Sequence, residues 1–203
     1  LANPGTALEA ARAGLDVTIA VPANAPDAAD SVVVVECDGE PQADPVRLLS
    51  PRVAVDTLRG FDAALTGRLQ LGPGKKTDDV VLGWNKKEQA VAWPIRVNER
   101  ITFQVAINYD APGESKSGQT AEGDAGREAV KRQKGAAGSY VVRVGGQEFA
   151  KAVRPGKAIR ETLGTVTLEP GAHEIRVSAR EITGEELFRL RHLQLQPVAG
   201  ETK

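Results

Sequence analysis

Apolar and polar residues alternate along most of this chain with the period of a strand. From Ile101 to Tyr109, the residues Ile101, Phe103, Val105, Ile107 and Tyr109 share one parity, and Thr102, Gln104 and Asn108 share the other. The same alternation runs through Trp93, Ile95 and Val97, through Tyr140, Val142 and Val144, and through Ile175 and Val177. Residues two apart line one face of a strand, so each run buries one face and wets the other. Turn signals separate the runs. Gly145-Gly146 reads as a two-residue hairpin, because glycine reaches positive φ without steric cost, and Pro170-Gly171 marks another reversal. Between Leu190 and Leu193 the parity changes, which a β-bulge would absorb, and Pro197 ends that strand.

Strands are expected at Asp16 to Val21, Ser31 to Cys37, Ala64 to Leu71, Asp79 to Gly83, Ala90 to Val97, Ile101 to Tyr109, Tyr140 to Val144 and Glu148 to Val153. Three closing segments follow between Leu163 and Val198, and an extended piece is expected at Val46 to Leu49. A short helix is expected only at Ala7 to Gly14. Strands and turns at this spacing predict an all-β sandwich over residues 46–203, with a flexible polar insertion at about 112–137. Residues 1–45 hold two strands and a linker, and two strands cannot bury a face alone. They are expected to be the end of a second, incomplete sandwich, and the absence of methionine points to a trimmed chain. Cys37 shares its parity with Val33 and Val35, which predicts a buried, inert thiol.

The order of motifs adds a resemblance. Trp84, the W-P-x-x-V run from Trp93 to Val97, the F-x-V-x-I-x-Y run from Phe103 to Tyr109 and S-Y-x-V-x-V-G from Ser139 to Gly145 precede L-G-T-V-T-L from Leu163 to Leu168. This order resembles the carbohydrate-binding-type sandwich at the C-terminus of many bacterial family 29 α-L-fucosidases. Val17 to Asp27 and Ser31 to Pro41 resemble the last strands of the sandwich that follows the barrel in those enzymes. The resemblance implies a jelly-roll-like (galactose-binding-like) fold and a secreted, periplasmic or cell-surface protein. It also implies a glycan ligand and an upstream catalytic domain, or another subunit, as partners. The family usually carries a Trp before L-G-T-V-T-L, whereas Arg154 to Thr162 has none.

Composition narrows the function classes. With 26 basic and 27 acidic residues among 203, the chain has no broad field to attract nucleic acid, and no apolar run approaches the length of a membrane-spanning helix. No nucleophile elbow, phosphate loop, paired-histidine zinc motif or cysteine cluster occurs. His173 and His192 are far apart in sequence and read as structural or solvated. In the resembled family the catalytic carboxylates lie on the barrel, so no catalytic residue and no cofactor is assigned here. A structural calcium site is not located by any dense Asp/Asn/Gly loop.

Sugar recognition is the sharpest positive expectation, since an aromatic ring packs on the C–H face of a pyranose while amides and carboxylates fix its hydroxyls. Alternation assigns Trp93, Phe103, Tyr109 and Tyr140 to inner faces. Trp84 follows Gly83 and precedes the polar Asn85-Lys86-Lys87, so it stands either at the rim as a stacking platform with Asn85 beside it, or as a cap on the core. Asn108 and Asp110 fall on the outward parity at a strand end, as hydrogen-bonding groups or as ordinary turn formers. Two alternatives to sugar binding stand beside it: a structural packing or oligomerisation module, and a part of an extracellular surface assembly.

Overall fold

A computed structural model of the chain describes residues 7–13, 16–41, 46–73, 79–113, 115–116, 132–133 and 135–198. The chain divides into two compact units, Leu1–Pro45 and Val46–Lys203.

In the first unit, β1 (Ala10–Ala13) and β2 (Asp16–Ile19) form an antiparallel hairpin, with Ala10 opposite Ile19 and Ala13 opposite Asp16. The helix expected at Ala7 to Gly14 is therefore not formed over its described part, which is a strand at Ala10–Ala13. A segment this short cannot meet the cost of helix nucleation, while the β-branched run Val17-Thr18-Ile19 supplies a strand to pair with. Ser31 to Cys37 is not a strand either, and the exposure of Val32, Val33, Val34 and Val35 ranges from 43 to 64 %. Cys37 is exposed, and among the described residues no strand pairs with Ser31 to Cys37 to cover the face it shares with Val33 and Val35.

The second unit is an all-β sandwich of two facing sheets. Its strands are β3 (Arg47–Leu49), β4 (Asp56–Arg59), β5 (Ala64–Thr66), β6 (Gln70–Leu71), β7 (Val81–Leu82), β8 (Ala90–Val97) and β9 (Ile101–Ala111). The two-residue strands β10 (Ser115–Lys116) and β11 (Arg132–Gln133) pair with each other. Then come β12 (Gly138–Val144), β13 (Gln147–Ala152), β14 (Gly156–Leu168), β15 (Gly171–Ile182) and β16 (Arg189–Pro197). Sheet I runs β13-β12-β15-β8-β3, with β5 also on β8, and sheet II runs β14-β9-β16-β7-β6, with β4 also on β16. A single 3₁₀ turn, Gly60–Asp62, is the only helical element among the described residues. The greater part of the expected insertion at 112–137 lies outside the described residues.

The period-2 runs become the inner faces. Trp93, Ile95, Tyr140, Val142, Ile175 and Val177 of sheet I meet Phe103, Val105, Ile107, Val166 and Leu168 of sheet II in one core. The Gly145-Gly146 turn has φ of 56° and 77°, and the expected bulge falls between Leu190 and His192. Beyond the expected strands, β14 begins at Gly156, and its first half pairs with β9 as far as Ala111.

Candidate ligand-binding faces

Trp84 belongs to the core. It is 0 % exposed, its ring lies 5.2 Å from that of Phe188, and its indole N–H donates to the Val81 carbonyl at 3.2 Å. Gly83, at φ 88°, reverses the chain just before it, and the Leu187 N–H holds the Trp84 carbonyl at 2.8 Å. A stacking platform needs an open ring face, which this position does not give. Asn85 is exposed in the loop that follows, and its backbone N–H donates to Gln89 Oε1 at 2.7 Å. Gln89 is itself buried and also donates to the carbonyls of Gly67 and Gly83, both at 2.7 Å, so it latches this loop to the sheet edge.

Asn108 and Asp110 lie elsewhere, on the outer face of sheet II. There the register aligns Arg160, Asn108, His192 and Arg59 across β14, β9, β16 and β4. The next row is Thr162, Ala106, Gln194 and Thr57. Arg160 Nε donates to Gln194 Oε1 at 3.3 Å across β9, where Ala106 is 1 % and Asn108 9 % exposed. The Asn108 Nδ2 group has no hydrogen-bond partner among the described residues, and neither does the buried Nε of Arg191. Arg191 is the extra residue of the bulge, and its Nη2 reaches Asp110 Oδ2 at 2.7 Å. Asp110 also accepts the Ala158 N–H at 2.5 Å. Burial alone would raise the Asp110 pKa, but the hydrogen bonds from Arg191 and Ala158 and the charges of Arg191 and Lys157 outweigh it and hold the carboxyl below its ordinary range.

His192 shows the opposite balance. Burial, reinforced by the charges of Arg59 and Arg191, holds its imidazole below the ordinary histidine range, with Asp79 opposing. Arg59 is in turn paired with Asp79 at 2.6 Å. A depressed histidine pKa means that the unfolded chain takes up the proton first as pH falls. The stabilisation is therefore complete above about pH 6.5, the ordinary histidine value, and is lost as pH falls through the folded pKa. Melting temperature is expected to drop as pH falls below about 6.5, and His192→Gln to flatten that drop. An identical pH profile in the variant would mean that another group governs it.

A third polar cluster closes one end of the core. The hydroxyls of Tyr140 and Tyr109 donate to Glu161 Oε2 at 2.7 and 3.3 Å, and the Arg154 N–H donates to the Tyr109 hydroxyl at 3.1 Å. Burial, then the hydrogen bond and charge of Glu161, push the Tyr140 phenol far above its ordinary range. Phe188 joins both tyrosine rings, at 5.2 and 5.4 Å between centroids. The segment from Arg154 to Thr162 thus supplies Arg154 and Glu161 to tie down the two tyrosines. The arrangement packs two tyrosine rings into the core with both hydroxyls on one carboxylate.

Sequence reasoning overlooked Phe61. It is 60 % exposed on the 3₁₀ turn, two residues beyond Arg59, whereas both tryptophans, both tyrosines, Phe103 and Phe188 are buried. The signal was Gly60-Phe61-Asp62, an aromatic flanked by turn residues outside any alternating run. Gly60 admits the neighbouring Leu71 and Val81 side chains where a Cβ would stand. Among the described residues, no three His, Cys, Asp or Glu side chains converge as metal ligands would, and no helix is long and apolar enough to cross a membrane.

No protein-family model and no curated protein matches the sequence. Solved structures do match in fold. A Podospora anserina β-(1,4)-mannanase, named as a family 26 hydrolase with a family 35 carbohydrate-binding module, superposes with a TM-score of 0.51 at 16 % identity, over 74 % of this chain and 29 % of that one. The mosquito-larvicidal Cry4Aa toxin of Bacillus thuringiensis gives 0.56 at 11 % identity, over 78 and 26 %. The insecticidal crystal protein Cry2Aa gives 0.52 at 9 %, over 75 and 23 %. The chain thus spans less than a third of each of these proteins. What it shares with them is the fold, a two-sheet β-sandwich that occurs in proteins as different as a glycan hydrolase and an insect toxin.

Proposed function

We propose that this chain is a non-catalytic, carbohydrate-binding accessory module of a larger secreted glycan-degrading protein. The observation that carries this reading is the outer face of sheet II, where Arg160, Asn108, His192 and Arg59 form one polar row and the Asn108 amide keeps a buried, unpartnered donor. Leaving a buried donor unpaired costs about 1–3 kcal/mol, so a ligand hydroxyl that parts the Arg160–Gln194 bridge across β9 and accepts from the amide regains that loss on binding. Phe61, two residues past the end of the row, supplies an exposed ring for the apolar face of a sugar. Asp110, fixed by Arg191 and Ala158, acts as a brace that orients the bulge under the row. An α-L-fucosidase-like parent is the finer reading. It rests on the order of Trp84, W-P-x-x-V, F-x-V-x-I-x-Y and L-G-T-V-T-L along the sequence.

The test is retention on immobilised neutral polysaccharides and on a glycan array. Asn108→Ala and Phe61→Ala are each expected to weaken retention about tenfold, the effect of losing one good contact. Asn108→Ala should leave the melting temperature unchanged or raise it, because the variant removes an unpaired buried amide. Unaltered retention in both variants, with the wild-type chain bound, would move the glycan to another surface.

A second reading has an observation of its own. Phe61 and Leu71 are 60 and 48 % exposed, and the Leu71 side chain lies against Gly60 beside Phe61, which suits a packing face against another domain or subunit. Failure of the wild-type chain to bind any glycan, with concentration-dependent self-association abolished by Phe61→Ala, would favour it.

A further inference from the structure

The opposite side of the sandwich carries a second feature. On the outer face of sheet I a shallow groove of about 430 Å³ lies between β12, β15 and the loop before β8. Its floor is small and apolar, with Ala90 and Val141 1 and 3 % exposed, and Ser178 lies between them in the register of β12, β15 and β8. Its walls are charged: Lys87, Arg143, Arg176 and Arg180 against Glu88 and Glu148, four cations and two anions. The chain as a whole has a net charge of −1, so this positive excess is local.

The register makes the excess acute. Arg143 and Arg176 stand directly opposite each other on neighbouring strands. Like charges in that position repel, and their Cβ atoms are only about 5 Å apart. Each has an acidic neighbour, Glu148 at 2.8 Å and Glu174 at 3.8 Å, but all four side chains are 37 % or more exposed. Exposed pairs of this kind contribute about 0–1 kcal/mol, so they hold neither guanidinium against a competing anion. Two positions beyond Ser178 on β15, Arg180 is the extra residue of the register shift against β12, and it lines the same groove. Arg180 and Lys87 have no ion-pair partner among the described residues. Guanidinium groups recognise carboxylate and sulfate oxygens through paired N–H donors, and the shallow apolar floor leaves room for a saccharide ring between them.

We infer that this groove binds the anionic groups of an acidic polysaccharide, either carboxylates or sulfate esters, with Arg143 and Arg176 on one wall and Arg180 and Lys87 on the other. The inference rests on the glycan-binding reading and adds to it a second face and a ligand class. A module with a neutral-sugar row on sheet II and an anion groove on sheet I would hold a mixed or branched acidic glycan from both sides.

The experiment is affinity electrophoresis of the whole chain through gels containing polygalacturonate, a sulfated galactan or the matching neutral galactan. Arg176→Glu and Arg180→Glu are compared with Arg100→Glu, a charge-matched change at a site 72 % exposed on the loop between β8 and β9. Retardation by an acidic gel is expected to fall at least tenfold in Arg176→Glu and Arg180→Glu, to persist in Arg100→Glu and in Asn108→Ala, and to weaken with added salt. Whichever acidic gel retards the wild type identifies the anion as carboxylate or sulfate. Binding to the neutral gel alone overturns the inference and leaves the proposed function standing. Equal loss in Arg100→Glu also overturns it, because net charge rather than the groove would then be responsible. Binding to no gel overturns the inference, and the proposed function falls with it only if the glycan array retains nothing either.

Discussion

Trp93→Ala is expected to lower the free energy of unfolding by about 3–5 kcal/mol, the range for deleting a large buried ring, and Trp84→Ala to cost about as much. Trp93 is 1 % exposed at the centre of sheet I, and its indole N–H crosses the sandwich to the carbonyl of Arg59 in sheet II at 2.8 Å. Removing it opens a cavity and strands that carbonyl. Trp84 is 0 % exposed against Phe188 and also uses its N–H internally. Urea titrations followed by circular dichroism would measure both, since each variant keeps the other tryptophan as a fluorescence control. A Trp84→Ala protein within about 1 kcal/mol of wild type would mean that the ring stands at the rim after all. Trp93→Phe keeps most of the ring volume and loses the hydrogen bond between sheets, for about 1–3 kcal/mol.

These two tryptophans show how far the sequence could be read. Trp93 sits in a period-2 run with Ile95 and Val97, so its parity already assigned it to the core. Trp84 lies in no such run; its inward turn depends on Gly83 at positive φ and on Gln89, which binds the loop through contacts as far away as Gly67. Local polarity around Asn85 therefore pointed outward while long-range hydrogen bonds turned the ring inward. The long strands were legible for the same reason as Trp93: β8, β9, β12, β15 and β16 alternate over several residues, and even the bulge in β16 left a parity change to see. Short pieces such as β4 were not, because three or four residues give no period. In the first unit, the four valines from Val32 to Val35 have strand composition but form no strand, since β structure needs a neighbour that composition does not supply.

The candidate sites follow the same division. Asn108 and Asp110 were legible as outward positions because they share the parity of Thr102 and Gln104. Their neighbours were not, since Arg160, His192 and Arg59 come from strands as much as 133 positions apart from one another in sequence, from Arg59 to His192, and meet only through the register of sheet II. The arginines of sheet I were likewise invisible one strand at a time. Arg143 and Arg176 each look like an ordinary solvated position, and only their pairing across β12 and β15 creates the repulsion that an anion relieves. Ligand recognition on a sandwich is a property of rows across strands, whereas sequence patterns report columns along them.

The second large effect concerns backbone rather than side chains, and it fixes those rows. Gly138→Ala is expected to destabilise by about 1–3 kcal/mol through its backbone conformation alone, and by more through collision. Gly138 has φ 144°, and a Cβ there would overlap the Glu181 carbonyl oxygen and come within 3.0 Å of the Ile182 Cα. Both are backbone atoms of β15, so no rotamer change can relieve the contact. The site adjoins the register shift between Ser139 and Tyr140, which sets how β12 meets β15 and hence where Arg143 faces Arg176. Gly146→Ala is the matched control: its φ is 77°, but a Cβ there meets nothing within 4 Å. Gly146→Ala should therefore show a positive-φ cost without any collision, and the difference between the two unfolding free energies combines the collision with the more extended positive-φ backbone of Gly138. If Gly138→Ala proves no less stable than Gly146→Ala, β12 and β15 do not approach as closely as the structure has them. Retardation by an acidic gel gives the second readout, because a Gly138→Ala chain that stays folded by shifting β12 would separate Arg143 from Arg176 and lose anion binding, while Gly146→Ala keeps it.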